Sequence, residues 1–330
     1  MRALFIGGTG NISTECAAVL HAAGHEVAIV SRGRTAVPRE YVSLTADRKD
    51  FSQMRAALER FKADVALNFL GYDLSDVQLD FRLFEGKIQQ YVFISSAAAY
   101  KKPASRLPIT EESELGNPHW EYARKKIACE RWLLEEWREC KFPVTIVRPS
   151  HTYSKRWVPN PVSSSSFTFC TRLEQGKPVY VPDEGDNPWT LTAAGDFAQG
   201  LSGLVGNPAA LGEAFHITSD EVQSWNQIVA QIAEALGVKS PRVAKIPTDF
   251  ICQVAPQAAG TLKGDKAYPG IFDNSKLKRL VPTFACRKQF REGVRESVEW
   301  LRAHPDQQNL SPAVDELCDK VATAWEQTRF

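Results

Sequence analysis

The chain has 330 residues, enough for one large or two ordinary domains around a real core. Apolar residues make up 43% and charged residues 24%, with a net charge of +1, so nothing electrostatic favours nucleic acid or a membrane surface as the main partner. No apolar run approaches the ~18 residues of a membrane span.

Ala3-Leu4-Phe5-Ile6 reads as a short apolar strand that runs straight into Gly7-Gly8-Thr9-Gly10-Asn11-Ile12-Ser13. A helix is expected over Thr14 to Ala23, closed by Gly24. A second strand follows over Glu26 to Val30 and ends in Ser31-Arg32-Gly33-Arg34. The first strand starts at once, which leaves no room for a signal peptide. Further strands are expected at Tyr41–Leu44, Asp64–Leu70, Gln90–Ser95 and Pro143–Val147. Helices are expected near Phe51–Phe61, Asp76–Phe84 and Trp120–Cys140. Repeated strand–helix units of this length imply an α/β fold, a doubly wound parallel sheet with right-handed crossovers.

Beyond Ser150 the texture changes. Pro159, Pro161 and the serines 163–166 mark a loop, the serines being expected to cap a following helix. Lys177–Val181 and Phe215–Ser219 read as strands, and Thr190–Leu204 as a strand end plus a helix. An amphipathic helix is expected over Trp225–Leu236, capped by Ser224 and stopped by Gly237, and another over Phe290–Ala303. The expected division is a dinucleotide-binding domain over 1–155, with a return segment about 190–212. A smaller, mostly helical substrate domain takes 156–189 and 213–330. The seven cysteines (16, 129, 140, 170, 252, 286, 318) are scattered and lack C-x-x-C spacing, and the six histidines show no ligand spacing. Neither disulfides nor a metal site is expected, and the usage suits a reducing, cytoplasmic compartment.

Strand, glycine turn, helix and strand form the context in which a glycine motif signifies dinucleotide binding. Gly7 allows the tight turn, Gly10 lets backbone approach a pyrophosphate, and the helix N-terminus with Thr9, Asn11 and Ile12 offers N–H groups to that anion. The third motif position is Ser13 rather than glycine.

Tyr122-Ala-Arg-Lys-Lys126 puts a phenol and an ammonium on one face of the long helix. A neighbouring ammonium favours phenolate and would turn a group of pKa ~10 into a usable acid/base. Alone, the pair reads more readily as a surface aromatic beside a solvated lysine. Ser96 at the end of the fifth strand and Arg148-Pro149 at the end of the sixth place it in a cleft.

Taken together, G-G-T-G at the start, S-S-x-x-x-Y at 95–100, Y-x-x-x-K at 122–126, R-P-S at 148–150 and D-N-S-K at 273–276 resemble the extended short-chain dehydrogenases/reductases of the epimerase/dehydratase family. The resemblance implies a Rossmann-type domain, a nicotinamide cofactor and a catalytic set of Ser96, Tyr122 and Lys126. The tyrosine would exchange a proton with a substrate hydroxyl, Ser96 would bond the same oxygen, and Lys126 would hold the nicotinamide ribose. Ser95 is left to face the cofactor or the sheet. Asp47 and Arg48 match the position that meets adenine; Phe69, Leu70 and Pro149 match the backbone beneath the cofactor. Similar enzymes pair through the long helix. Trp132 and Trp137 beside Leu133 and Leu134 give it the apolar breadth for a homodimer.

The departures are informative. An acidic residue that would bind an adenosine ribose diol is replaced by Ser31-Arg32, with Arg34 beyond, so NADP is expected in preference to NAD. Ordinary solvated loop cations are the alternative reading of these arginines. Ala97-Ala98 occupy the places where sugar-nucleotide dehydratases of this family carry an Asp-Glu pair. Lys155 and Arg156 are candidate phosphate contacts; Ala97, His151, Tyr153, Trp157 and Trp189 are candidates for the substrate side. The substrate is expected to be sugar-like. The chain also resembles the chloroplast stem-loop-binding proteins. A non-catalytic cofactor sensor or RNA-binding protein is therefore the alternative, which the neutral charge disfavours.

Overall fold

The computed structural model describes residues 1–164 and 166–328. Strands β1 (Arg2–Ile6), β2 (Glu26–Ser31), β3 (Val42–Thr45), β4 (Val65–Asn68), β5 (Gln90–Ile94) and β6 (Val144–Pro149) are interleaved with helices α1 (Ser13–Ala22), α2 (Phe51–Arg60), α3 (Leu74–Phe84) and α4 (Glu121–Cys140). Next come β7 (His151–Tyr153), α5 (Thr168–Glu174), β8 (Val179–Pro182), β9 (Pro188–Ala193), α6 (Ala194–Leu204) and β10 (Glu213–Ile217). Seven strands form one sheet in the order β10-β6-β5-β4-β1-β2-β3, and every pairing in it is parallel. This is the doubly wound Rossmann-type sheet expected from the strand–helix alternation.

The apolar strands are continuous because both faces are covered. Phe5, Ile29 and Leu67 face a core completed by Leu20 of α1 and Phe197 and Leu201 of α6. Leu4, Val30 and Phe93 face the opposite core, with Met54, Val77 and Leu133 of α2, α3 and α4. Helix α6 thus packs in the core of the large sheet. One boundary differs: residues from 213 onward were assigned to the second unit, yet β10 pairs with β6, Phe215 lying opposite Val147. A strand whose side chains can bury on both sides gains more by extending the large sheet than by joining a small one.

The remaining elements are β11 (Val222–Ser224), α7 (Trp225–Leu236), β12 (Val243–Ile246), α8 (Thr248–Val254), α9 (Ala259–Thr261) with a π-helical turn (Leu262–Lys266), α10 (Ser275–Leu280), α11 (Phe290–Ala303) and α12 (Pro312–Gln327). Two small sheets, β11-β9-β7 and β12-β8, join these helices. A separate core of Phe169, Val179, Trp189, Trp225, Ile232 and Val294 holds this smaller unit together. Helix α7 has the expected ends: Ser224 and Gln227 form a reciprocal cap, and Gly237 closes it at φ 78°. Before α5, Ser166 Oγ accepts from the Thr168 N–H at 3.2 Å, as expected of that serine run; Ser165 of the same run lies outside the described residues.

Trp132 packs edge-on against Phe81 at 5.5 Å, and Trp137 fills the space over Gly212, where a Cβ would strike its indole. Arg124, Arg131, Glu135 and Arg138 are exposed on the outer face of α4. The apolar breadth on which pairing was expected is thus used inside the chain. Among the described residues no helix is long and apolar enough to cross a membrane.

Candidate active site

The carboxyl ends of the central strands open into a cleft of about 880 Å³, and residues of the smaller unit form its far wall. One end is built by the glycine turn. Gly7 has φ +87°, and a Cβ there would run into the Leu70 side chain. The Gly10 N–H donates to Ser13 Oγ at 2.9 Å, so the serine at the third motif position braces the turn from inside. Thr9, Gly10, Asn11 and Ile12 line the cleft where α1 begins. The Asn11 side chain ties this loop to the far wall. Its Nδ2 donates to Thr152 O at 3.0 Å and its Oδ1 accepts from Ser154 Oγ at 2.5 Å.

At the end of β2, Ser31 Oγ accepts from the Gly33 N–H at 3.2 Å, and Arg32 and Arg34 line the cleft as exposed side chains. Neither arginine takes part in an ion pair among the described residues. Asp47 lines the same end, its carboxylate accepting from the Lys49 N–H at 3.0 Å. Phe69, Leu70 and Pro149 also line the cleft. Arg48 has a different duty from the adenine contact expected of it. Its guanidinium is 2.8 Å from Asp76 and 3.0 Å from Asp80, and it donates to Leu70 O at 3.2 Å. These bonds occupy the fork beneath the cleft, where it fixes the Leu70 carbonyl.

Ser96, Tyr122 and Lys126 all line the cleft, with Lys126 Nζ 5.8 Å from the centre of the Tyr122 ring. The Ser96 hydroxyl accepts from the Ala98 N–H at 3.1 Å and favours the Tyr122 phenolate. Ser95 lines the cleft as a buried neighbour. Tyr122 is flanked by Trp120 at 4.9 Å and Tyr72 at 6.4 Å between ring centres. Burial raises its phenol to about 12, and the nearby Tyr72 and Asp265 add to the rise while Ser96 opposes it. Lys126 was expected to lower that value. Its Nζ instead donates to Gly71 O and Ile94 O, both at 2.7 Å. Burial brings the ammonium itself down to about 8.

The helix that carries this pair is anchored by an ion pair in the interior. Arg148 Nη2 is 2.6 Å from Glu130 of α4, and Arg148 Nη1 donates to Tyr100 Oη at 2.7 Å and Glu111 O at 3.0 Å. The R-P-S and S-S-x-x-x-Y motifs therefore meet behind the catalytic wall. The D-N-S-K motif is also a brace. Asn274 Nδ2 donates to Thr218 O at 2.7 Å, and its Oδ1 accepts from Thr218 Oγ1 at 2.9 Å.

A family model described as "NAD dependent epimerase/dehydratase family" matches residues 3–217, from the first strand through β10. The chain belongs to the NAD-dependent epimerase/dehydratase family. It is an enzyme of the extended short-chain dehydrogenase/reductase type. It is 25% identical over 292 residues to 2'-dehydrokanamycin reductase of Streptomyces kanamyceticus, covering 87% of this chain and 81% of that one. It is 26% identical over 263 residues to the chloroplast stem-loop binding protein of 41 kDa b of Arabidopsis thaliana, covering 75% of this chain and 66% of that one. Among solved structures, dTDP-glucose 4,6-dehydratase of Bacillus anthracis in complex with NAD superposes with a TM-score of 0.76 at 16% identity, covering 93% and 98% of the two chains. UDP-glucose 4-epimerase of Bifidobacterium longum, in complex with NAD+ and UDP, gives 0.76 at 17% identity over 93% and 100%. These likenesses carry the fold.

On the substrate side this family member departs from its own sequence pattern in two places. Ala97, His151, Trp157 and Trp189 line the cleft, but Tyr153, Lys155 and Arg156 do not. Tyr153 is buried edge-on against Phe290 at 5.2 Å, its ring above Gly293. The turn closed by the Trp157 N–H to Ser154 O bond carries Lys155 and Arg156 outward over Trp300, at 5.9 and 5.7 Å. Three further wall groups, Thr190, Asp265 and Lys266, escaped the sequence reading. Asp265 and Lys266 come from a single π-helical turn, for which sequence has no periodic signal. Burial lowers the His151 imidazole to about 3, with the nearby Lys266 charge contributing.

Proposed function

We propose that this enzyme is an NAD(P)-dependent oxidoreductase or epimerase that moves a hydride at a hydroxyl or ketone carbon of a sugar-like substrate. The observation that carries the reading is the meeting of Ser96, Tyr122 and Lys126 between the glycine turn and a separate, aromatic-rich wall. The chain's residues fit a nicotinamide dinucleotide. Gly7 leaves the space that a Cβ would fill, the start of α1 faces the cleft, and Ser95 Oγ is a buried cleft atom without a partner. The glycine turn would hold the pyrophosphate, Arg32 and Arg34 the adenosine end, and Lys126 the ribose hydroxyls. A bound nicotinamide supplies the hydride acceptor or donor.

Tyr122, as phenolate, takes the substrate hydroxyl proton while Ser96 donates a hydrogen bond to the same oxygen; for reduction the proton runs back from Tyr122. Return of hydride to the opposite face of one substrate gives an epimerase, and release of the altered cofactor gives a dehydrogenase or reductase. The relative described as a 2'-dehydrokanamycin reductase supports the second outcome. With Ala97 and Ala98 in place of an acidic pair, water elimination loses its acid/base groups. Incubation with cofactor and a panel of sugars, following absorbance at 340 nm and sugar products, tests the reading; no cofactor turnover with any of them would overturn it.

Arg32 and Arg34 favour NADP over NAD. A charge-assisted contact is worth ~1.5–3 kcal/mol, about ten- to a hundredfold in affinity. NADPH should therefore bind about that much more tightly than NADH, and Arg32→Ala should erase most of the difference. Calorimetry giving tighter NADH binding in the unmutated protein would refute it.

A homodimer paired through α4 remains part of this reading, by likeness to similar enzymes. Sedimentation should then show a mass that rises with concentration. A monomer at every concentration would exclude it.

A further inference from the structure

Beyond the catalytic trio, the far wall holds four polar side-chain atoms that are enclosed by protein and have no hydrogen-bond partner. They are His151 Nε2, Trp157 Nε1, Trp189 Nε1 and Thr190 Oγ1. Trp189 and Thr190 are 4% and 1% exposed. An unpaired buried polar atom forfeits its hydration without a replacement bond, so four on one wall mark a surface shaped for a ligand rich in hydroxyls. The Trp157 indole, part-exposed on this wall, adds a flat apolar face of the kind that stacks on the C–H face of a sugar ring, while Trp189 is packed against Trp225 at 5.2 Å and offers only its edge.

The charges on this wall narrow the ligand. Among the described residues the only ones are Asp265 and Lys266, both from the π-helical turn. Lys266 Nζ is already held by Asn160 O and Pro161 O, at 3.1 and 3.4 Å. Asp265 faces Lys102 Nζ at 3.4 Å. A nucleoside diphosphate needs guanidinium forks or several free ammoniums. Every arginine that lines the cleft (32, 34 and 48) stands at the glycine-turn end. An amino sugar fits no better, because its ammonium would meet two lysine ammoniums beside Asp265. A hydroxyl suits both groups: Asp265 can accept from it, and Lys266 can donate to it.

We propose that the substrate is a neutral, polyhydroxylated ring without a nucleoside diphosphate, held by Asp265, Lys266, Thr190 and the indole N–H groups of Trp157 and Trp189. This rests on the hydride-transfer reading for its chemistry but is tested by binding alone. The probes are UDP, UDP-glucose and the methyl glycosides of glucose, galactose and mannose, each titrated into the cofactor-loaded full chain while tryptophan fluorescence and heat are followed. At least one methyl glycoside should saturate the fluorescence change. UDP should give no saturable signal at millimolar concentration, and UDP-glucose should bind no better than the neutral ring.

Asp265→Asn should weaken the glycoside at least tenfold and leave cofactor affinity unchanged. Trp189→Phe keeps an aromatic side chain but removes the N–H with part of the indole; it should weaken the glycoside about five- to tenfold, and it serves if Asp265→Asn does not fold. Saturable UDP binding at micromolar concentration overturns the proposal. So does silence toward all three glycosides, or glycoside binding indifferent to the folded variants. If no sugar of either class turns over the cofactor, the function reading fails while these titrations still decide the subsite.

Discussion

Tyr122→Phe is expected to lower turnover by about 10²–10⁴-fold while leaving fold and cofactor affinity in place, because it removes only the ionisable oxygen. Near-full activity in this variant would sink the assignment. The pH profile sharpens the test. Burial raises the Tyr122 phenol to about 12, so the protein without cofactor should show a tyrosine that ionises only in strong alkali. The positive charge of an oxidised nicotinamide beside it would favour phenolate, so with cofactor and substrate the oxidation rate should rise with pH through one ionisation below the ordinary phenol value of ~10. That limb should vanish from the residual activity of Tyr122→Phe.

Lys126→Met should weaken cofactor binding. The same substitution has a stability signature. Lys126 is at about 8 in the fold, with burial the main cause, against ~10.4 in an unfolded chain. Between those values the unfolded state binds more protons, so the stability of the ligand-free protein should rise with pH across that window. Below it both states are charged, and the fold bears the full desolvation cost. Lys266, also brought down to about 8 by burial, contributes in the same window, so the test is the difference: the gain in urea midpoint from pH 7 to 9.5 should be smaller in Lys126→Met than in the unmutated protein. An equal or larger gain in Lys126→Met would contradict the linkage.

Glu130→Ala is expected to be the most destabilising single change near the site. Glu130 and Arg148 have side chains 0% and 4% exposed and are 2.6 Å apart. Removing one partner strands a buried charge, which costs about 3–5 kcal/mol. Arg148 also holds Tyr100 and the Glu111 carbonyl, so the loss should loosen α4 and lower turnover as well. Glu130→Leu combined with Arg148→Met should recover part of the stability, because no charge is then left unpaired. Denaturant unfolding measures both variants. A cost below about 1 kcal/mol for Glu130→Ala would mean that water reaches the pair.

Much of this enzyme was legible in the chain because the signals are local. Apolar runs bounded by glycine and polar caps marked β1, β2, β4, β5, β6 and α7 to within a few residues. The glycine turn and the Tyr122–Lys126 spacing needed only helix geometry to make sense, and the joint set of motifs named the family. Four matters were settled by tertiary packing alone. Strand β10 joined the large sheet because the β6 edge offered it a partner and two buried faces. Tyr153 and Arg156 were drawn away from the cleft, one into the core against Phe290 and the other over Trp300. The ligand-free phenol moved up rather than down because the Gly71 and Ile94 carbonyls hold the Lys126 ammonium and burial dominates. Asp265 and Lys266 entered the site through a π-turn with no sequence period. Local sequence fixes backbone habit and candidate chemistry. The direction a side chain takes, and the dielectric it meets there, depend on neighbours that arrive from elsewhere in the chain.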